Sequence, residues 1–268
     1  MTLRVRIALL LLLLPAVSCS RGKEPVALLL ALATFEKSAS PPVPNPARLG
    51  ILVRAGDDWN YRQIEDPDSR VFHKAMLYEP REGKRGILTA GGTRAILKLW
   101  RAGQAPETIL EADFGGISSR MRDVEVADLF GDGKPALAVA THDQGVVAVL
   151  RPQAAGRYSV QELDRQPQTI VHEIEIGDVD RDGKLEIYAT PSRPNLLDGT
   201  PQPGEVVRYA PARGLKREVV ATLRDRHAKE ILCRDVDGDG HDELYVCVEA
   251  VSGGQVEILR YEDRKSVV

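Results

Sequence analysis

Apolar and polar residues alternate along much of this chain, in short runs rich in Val, Ile, Leu and Tyr that are broken by Gly, Pro and Asp. A period of two marks a strand with one buried face. The clearest stretch begins at Val171. There HEIEIG (172–177), KLEIYAT (184–190), GEVVRYA (204–210) and KREVVATL (216–223) read as four strands, separated by an acidic loop, a Pro-rich loop (191–203) and a short PARG turn.

The pattern repeats. RDVEVADLFGDGKPALAVAT, from Arg122, matches HEIEIGDVDRDGKLEIYATP, from His172, at an offset of 50, and KEILCRDVDGDGHDELYVCV, from Lys229, matches the latter at an offset of 57. A fainter copy places Glu82, Gly83 and Lys84 on Asp132, Gly133 and Lys134. Four units follow, at 71–120, 121–170, 171–227 and 228–263, inside a domain running from 47 to 268. Four short strands per unit of about 50 residues is the layout of a propeller blade. The predicted fold is all-β, a β-propeller of about four to five four-stranded blades. LGILVRAGDDWNYRQIED (49–66) adds two strands with no acidic loop ahead of them, and QVEILRYED (255–263) gives the last unit a third strand. Exchange of strands between the two ends would close such a ring, and a longer propeller or one completed by a partner fits the same pattern.

Two loops carry candidate chemistry. In 178–186 and 235–243, Asp stands at positions one, three and five, Gly at six and Glu at nine, with an apolar run after. Alternate carboxylates converge on one point when backbone wraps a hard, oxygen-seeking cation, and Gly permits the sharp turn. The spacing assigns Asp178, Asp180, Asp182 and Glu186, with the carbonyl of Lys184, to one Ca2+. It assigns Asp235, Asp237, Asp239 and Glu243, with the carbonyl of His241, to another. Only the carbonyl of His241 is needed, so its ring is expected to point away. Unit two has Phe130 and Ala136 at two ligand positions and is expected to bind weakly; unit one keeps only Glu82 and is expected to bind no metal. Acidic surface turns, with Asp and Gly in conformational roles, are the alternative.

The D-x-D-x-D-G-x-x-[DE] spacing followed by a strand resembles the VCBS and FG-GAP repeats, the integrin-alpha-like propeller family, over about residues 71 to 263. The resemblance implies a propeller, calcium in these loops and an extracytoplasmic setting. It implies no single function, since fold and function separate in such repeats.

The amino terminus fits an exported protein. Arg4 and Arg6 precede an apolar run (7–14) and small residues up to Cys19, so residues 1–18 read as a signal peptide. The run is shorter than the roughly 20 residues a membrane-spanning helix needs. AVSC resembles a bacterial lipobox, with Ala16 where Leu is usual. That resemblance implies an acylated Cys19 and a membrane anchor, and Ser20 resembles the residue of lipoproteins sorted to an outer membrane. An ordinary signal peptide is the other reading. VALLLALATF (26–35) reads as a helix on the bilayer or against the domain, or as part of a tether. SASPPVPNP (38–46) reads as a semi-rigid spacer, making 19–46 a lipidated tether. The chain carries 36 basic and 39 acidic residues, a formal charge of -3, so no basic excess serves a nucleic-acid partner.

Propeller geometry gathers the residues just before each innermost strand at the end opposite the calcium loops. Alignment of the units places Arg122, His172 and Lys229 at one position and Asp123, Glu173 and Glu230 at the next; His142, Arg193 and Glu249 return to the same face. Such a face suits a protein or glycan ligand, and a His beside a carboxylate is also material for acid-base catalysis. Charged pairs locking neighbouring blades are the plainer account. The leading expectation is a non-enzymatic, calcium-stabilised envelope lipoprotein presenting a binding face; a polysaccharide lyase or hydrolase on the same scaffold is the alternative. By alternation, Cys233 and Cys247 both fall on buried faces of adjacent strands, read as free thiols over a disulfide.

Overall fold

The computed structural model describes residues 26–36, 43–117, 119–193, 200–249, 255–262 and 265–267. Its described elements are 21 strands and two short 3-10 turns. Unit one forms a four-stranded antiparallel sheet from β6 (Phe72–Tyr78), β7 (Gly86–Gly91), β8 (Ala95–Trp100) and β9 (Glu107–Ala112). Unit two repeats it with β10 (Met121–Ala127), β11 (Ala136–Thr141), β12 (Val147–Pro152) and β13 (Tyr158–Asp164). Unit three does so with β14 (Ile170–Gly177), β15 (Glu186–Ser192), β16 (Glu205–Tyr209) and β17 (Arg217–Thr222). Unit four is built from β18 (Ala228–Arg234), β19 (Glu243–Val248), β20 (Glu257–Glu262) and β21 (Lys265–Val267). Each sheet is a simple meander, and β6, β10, β14 and β18 pack in succession. The fold is therefore all-β and propeller-like.

A fifth, three-stranded sheet precedes these, in the order β1 (Ala27–Leu32), β4 (Ala47–Ala55), β5 (Asp58–Asp66). The apolar stretch expected as a helix or tether is a strand here, paired along β4 from Ala27↔Val53 to Leu32↔Arg48. Its Leu29 packs with Leu49 and Phe72, which gives alternating Leu residues a buried face that a lone helix would lack. The Pro-rich stretch contributes β3 (Val43–Pro44), paired with β2 (Phe35–Glu36). The last unit also departs from expectation: its fourth strand is β21, so that sheet is complete without a strand from the amino end.

Sheets stack through their two faces. Units one to three each use one set of alternating residues toward the sheet before and the other set toward the sheet after. Tyr78, Leu88 and Leu99 of unit one meet Val124, Leu137 and Leu150 of unit two. Ala138 and Val149 of unit two meet Ile174, Ile187 and Tyr209 of unit three. Tyr188 and Val206 of unit three meet Leu244, Val246 and Tyr261 of unit four. Both faces of the middle sheets are apolar for this reason, as in any sheet covered on two sides. A buried ion pair joins unit one to the amino-terminal sheet, where Lys98 Nζ on β8 lies 2.7 Å from Asp66 Oδ1 at the end of β5 and 2.6 Å from Asp68 Oδ2.

Candidate functional site

The acidic loops close the turn between the first two strands of units three and four. In unit three, Asp178 accepts the backbone N–H groups of Asp182 (3.0 Å) and Gly183 (2.8 Å), folding the loop around its first carboxylate. In unit four, Asp235 accepts those of Gly238 (2.7 Å) and Gly240 (2.9 Å). Gly183 and Gly240 sit at positive φ, 78° and 89°, where a side chain would be strained. One carboxylate oxygen from each of Asp178, Asp180, Asp182 and Glu186 lies within 4.8 Å of the others, and the same holds for Asp235, Asp237, Asp239 and Glu243. The two clusters could hold a metal ion.

The donor set fits a hard cation. It is all oxygen, and in each loop one buried carboxylate oxygen makes no hydrogen bond: Asp180 Oδ1 and Glu243 Oε1. Arg208 Nη1 meets Asp180 at its other oxygen, Oδ2, at 2.9 Å, and Arg213 does likewise. Burial, then the neighbouring Asp180, pushes the Glu186 carboxyl up to about 7. Lys184 and His241 are both exposed at the seventh loop position. Unit two builds the same turn, with Asp128 bonded to the N–H groups of Asp132 and Gly133, but Phe130 in place of the second Asp lies under the Arg151 guanidinium at 3.9 Å.

The opposite ends of the inner strands each carry a β-bulge. The register shifts fall between Phe72 and Lys74, Met121 and Asp123, Val171 and Ile174, and Ala228 and Ile231. A bulge leaves an extra residue outside the ladder and re-aims its side chain. The residues so released are His73, Arg122, His172 with Glu173, and Lys229 with Glu230. Arg122 joins the histidines on either side, with Nη1 3.4 Å from His73 Nδ1 and Nη2 3.1 Å from His172 Nδ1. His172 in turn stacks on His227 with ring centroids 6.0 Å apart. His227 Nε2 lies 2.9 Å from Glu249 Oε2, and Lys229 also pairs with Glu249. His142 completes the patch, with Nδ1 2.5 Å from Asp143 Oδ1.

Electrostatics keep much of this cluster neutral. Burial, then Arg122, lowers both His73 and His172 to about 3, so each imidazole is uncharged at neutral pH. Burial also lowers His142. Burial and a hydrogen bond with Glu230 raise Glu173 to about 8, and burial followed by the charge of Glu125 raises Glu175 to about 7.

Not every expected residue serves the patch. Asp123 Oδ2 accepts the Ile174 N–H and Glu173 Oε2 accepts the Ile231 N–H, each at 3.0 Å, so these carboxylates stitch one sheet to the next. Arg193 stands exposed at the end of β15 and lines a separate hollow of about 110 Å3 with Gln166 and Glu205. Arg122, His142, His172, Lys229 and Glu249 do come together, with Glu230 beside Glu173. His73 and His227 also belong. His73 escaped the repeat alignment because the turn between β6 and β7 (79–85) is one residue shorter than that between β10 and β11 (128–135), which puts all of β6 one residue out of step. His227 lies one residue ahead of β18, outside the alternating run.

The cysteines take opposite faces. Cys233 pairs with Leu244 and is buried toward unit three, whereas Cys247 pairs with Ile258 on the outward face. Both are free, and burial pushes the Cys233 thiol up. Cys233 stands opposite Leu244, and alternation along β19 from Leu244 turns Cys247 to the other face, so the two do not share a buried side. Cys19 and the signal segment lie outside the described residues.

No family model and no curated protein matches the chain. Among solved structures it is similar to the crystal structure of BBS1N in complex with ARL6DN, soaked with lead, at a TM-score of 0.40 and 12% identity, covering 86% of this chain and 79% of that one. A likeness at that level shows no family and no function.

Proposed function

We propose that this chain supplies five blades of a calcium-stabilised propeller of the VCBS and FG-GAP kind, exported and held by a lipid on Cys19 at the cell envelope. It binds a polar ligand, a glycan or a protein, and carries out no reaction of its own. The observation that supports the binding role is the half-buried patch around Arg122, in which a guanidinium and two neutral imidazoles offer donors and acceptors with little net charge. Polar groups held in a rigid frame suit hydroxyl-rich or amide-rich partners, because their order is settled before binding. The metal loops stand at the far ends of the same inner strands and fix those strands in place.

Raised and lowered titrations in one cluster also suit acid-base chemistry. Glu173 spends one oxygen on the Ile231 N–H, which favours the binding role. A glycan array with the purified chain, followed by incubation with any polymer it retains, separates the two. Retention of full-length polymer, lost in Arg122→Ala, supports binding; shortened product assigns catalysis. Retention unchanged in Arg122→Ala removes the patch from the account. Labelling with a palmitate analogue tests the anchor, and an unlabelled mature chain overturns it.

A further inference from the structure

Unit four repeats, on its outward side, the surface with which unit three receives unit four. In unit three that surface is Tyr188, Val206 and Arg208, which are 2%, 0% and 3% exposed. The matching register in unit four, Tyr245↔Arg260 against Tyr188↔Arg208, makes Tyr245, Ile258 and Arg260 their equivalents. Their finer contacts are copied as well. Tyr188 and Tyr245 donate to Glu186 and Glu243, and Arg208 and Arg260 pair with Asp180 and Asp237. Yet Ile258 is 72% exposed and Leu232 beside it 47%. With Val236, Tyr245 and Cys247 they line an open apolar hollow of about 300 Å3. Glu230, exposed at its rim, occupies the place from which Asp123 and Glu173 reach the next sheet's backbone.

The complementary surface is on the same chain. The amino-terminal sheet packs on unit one through Leu29, Leu49 and Ile51, as the other junctions pack. Its reverse face carries Leu28, Leu30, Leu52, Trp59 and Tyr61, with Leu28 at 49%, Leu30 at 43% and Tyr61 at 54% exposed. Among the described residues no strand of unit four packs on β1, β4 or β5 as neighbouring sheets do. The molecule therefore shows a forward docking face at one end of its stack of sheets and a backward docking face at the other.

We propose that the outward face of unit four docks the amino-terminal sheet of a second copy of this chain. The contact continues a packing mode that already recurs from sheet to sheet, and each copy supplies one half of it. Such an interface is heterologous, so copies join head to tail and form a ring if the rotation closes. Tyr61 and Leu30 of one copy would cover Ile258 and Leu232 of the next, removing two apolar surfaces from water.

Sedimentation of the full chain in mild detergent, with the single variants Ile258→Glu and Leu30→Glu, tests this. Both side chains are exposed, and circular dichroism confirms that each variant folds. The wild type is expected to associate with rising concentration, and each variant alone to remain a monomer, its apparent Kd raised at least 100-fold. Mixed one to one, the variants regain a single intact junction, Ile258 of one against Leu30 of the other, and give a species of twice the monomer mass and nothing larger. A wild type that stays monomeric to high concentration overturns the proposal, as expected if the two faces met within one chain or awaited a different protein. Undiminished association of either single variant, or a monomeric mixture, overturns it too.

Discussion

Asp123 on β10 hands its Oδ2 to the backbone N–H of Ile174 on β14, 3.0 Å away, while Lys74 on β6 reaches its Oδ1 at 2.8 Å. One buried carboxylate thus ties three successive sheets at their inner strands. Glu173 repeats half of the device on Ile231. Charged residues that look like a ligand ring in the sequence are, at these two positions, part of how the sheets are held in order.

Removing that carboxylate should be felt in stability. Asp123→Ala leaves the Ile174 N–H buried and unpaired and strips Lys74 of one partner, a loss of about 2–4 kcal/mol. Asp123→Asn keeps an acceptor oxygen and should lose less than half as much. Urea unfolding of both variants measures the difference; equal losses would mean that charge alone matters at this position.

A close approach between two inner strands gives a sharper case. A Cβ on Gly177 would stand 2.0 Å from Cys233 Sγ and 2.9 Å from Asp242 Oδ2. Gly177→Ala should therefore cost about 1–3 kcal/mol through overpacking. Cys233→Ala in the same chain makes room, so the double variant should be more stable than the sum of the single losses predicts. Strict additivity in the cycle would show that the two residues do not meet.

The strands of unit three, at 170–177, 186–192, 205–209 and 217–222, were legible because alternation, Gly and Pro mark both faces and both ends of each. The acidic loops were legible for a similar reason: one short segment carries the whole oxygen set. The patch at the other end was only partly so. It is assembled by bulges, which leave no mark in composition, and His73 was hidden by a β6–β7 turn one residue shorter than its counterpart in unit two. Nor does a Leu-rich run announce that it will pair with β4, since its apolar face needs a neighbour that only the fold supplies.

Calcium should be readable as stability and as stoichiometry. Two ions per chain are expected, and Glu186→Gln or Glu243→Gln should each remove one. At a free concentration 100 times Kd, the stabilisation is about 2.7 kcal/mol per site. Extracellular modules bind at roughly 0.1 to 1 mM, so melting should be followed in chelator and at several millimolar calcium. A melting curve indifferent to both would falsify the calcium assignment.

Acid should unfold the chain through its inner histidines. Folding lowers His172 from 6.5 to about 3, through burial, Arg122, Lys229, His227 and His142, and lowers His73 as far. A depressed folded value means that the unfolded chain takes up the proton first. The contribution is whole above pH 6.5 and falls away as pH drops toward 3, at up to ~1.4 kcal/mol per pH unit for each ring. Glu173 works in the other direction. Raised to about 8, it gives a contribution that is whole below pH 4.5 and is lost as pH rises through 8. The two oppose each other between pH 4.5 and 6.5, so the wild type should show a shallow profile there. Glu173→Gln removes the opposing slope and should make the acid limb steeper, whereas His172→Asn should flatten it. Urea midpoints from pH 4 to 8 for the three chains decide this, and parallel profiles would show that neither group titrates differently in the folded protein.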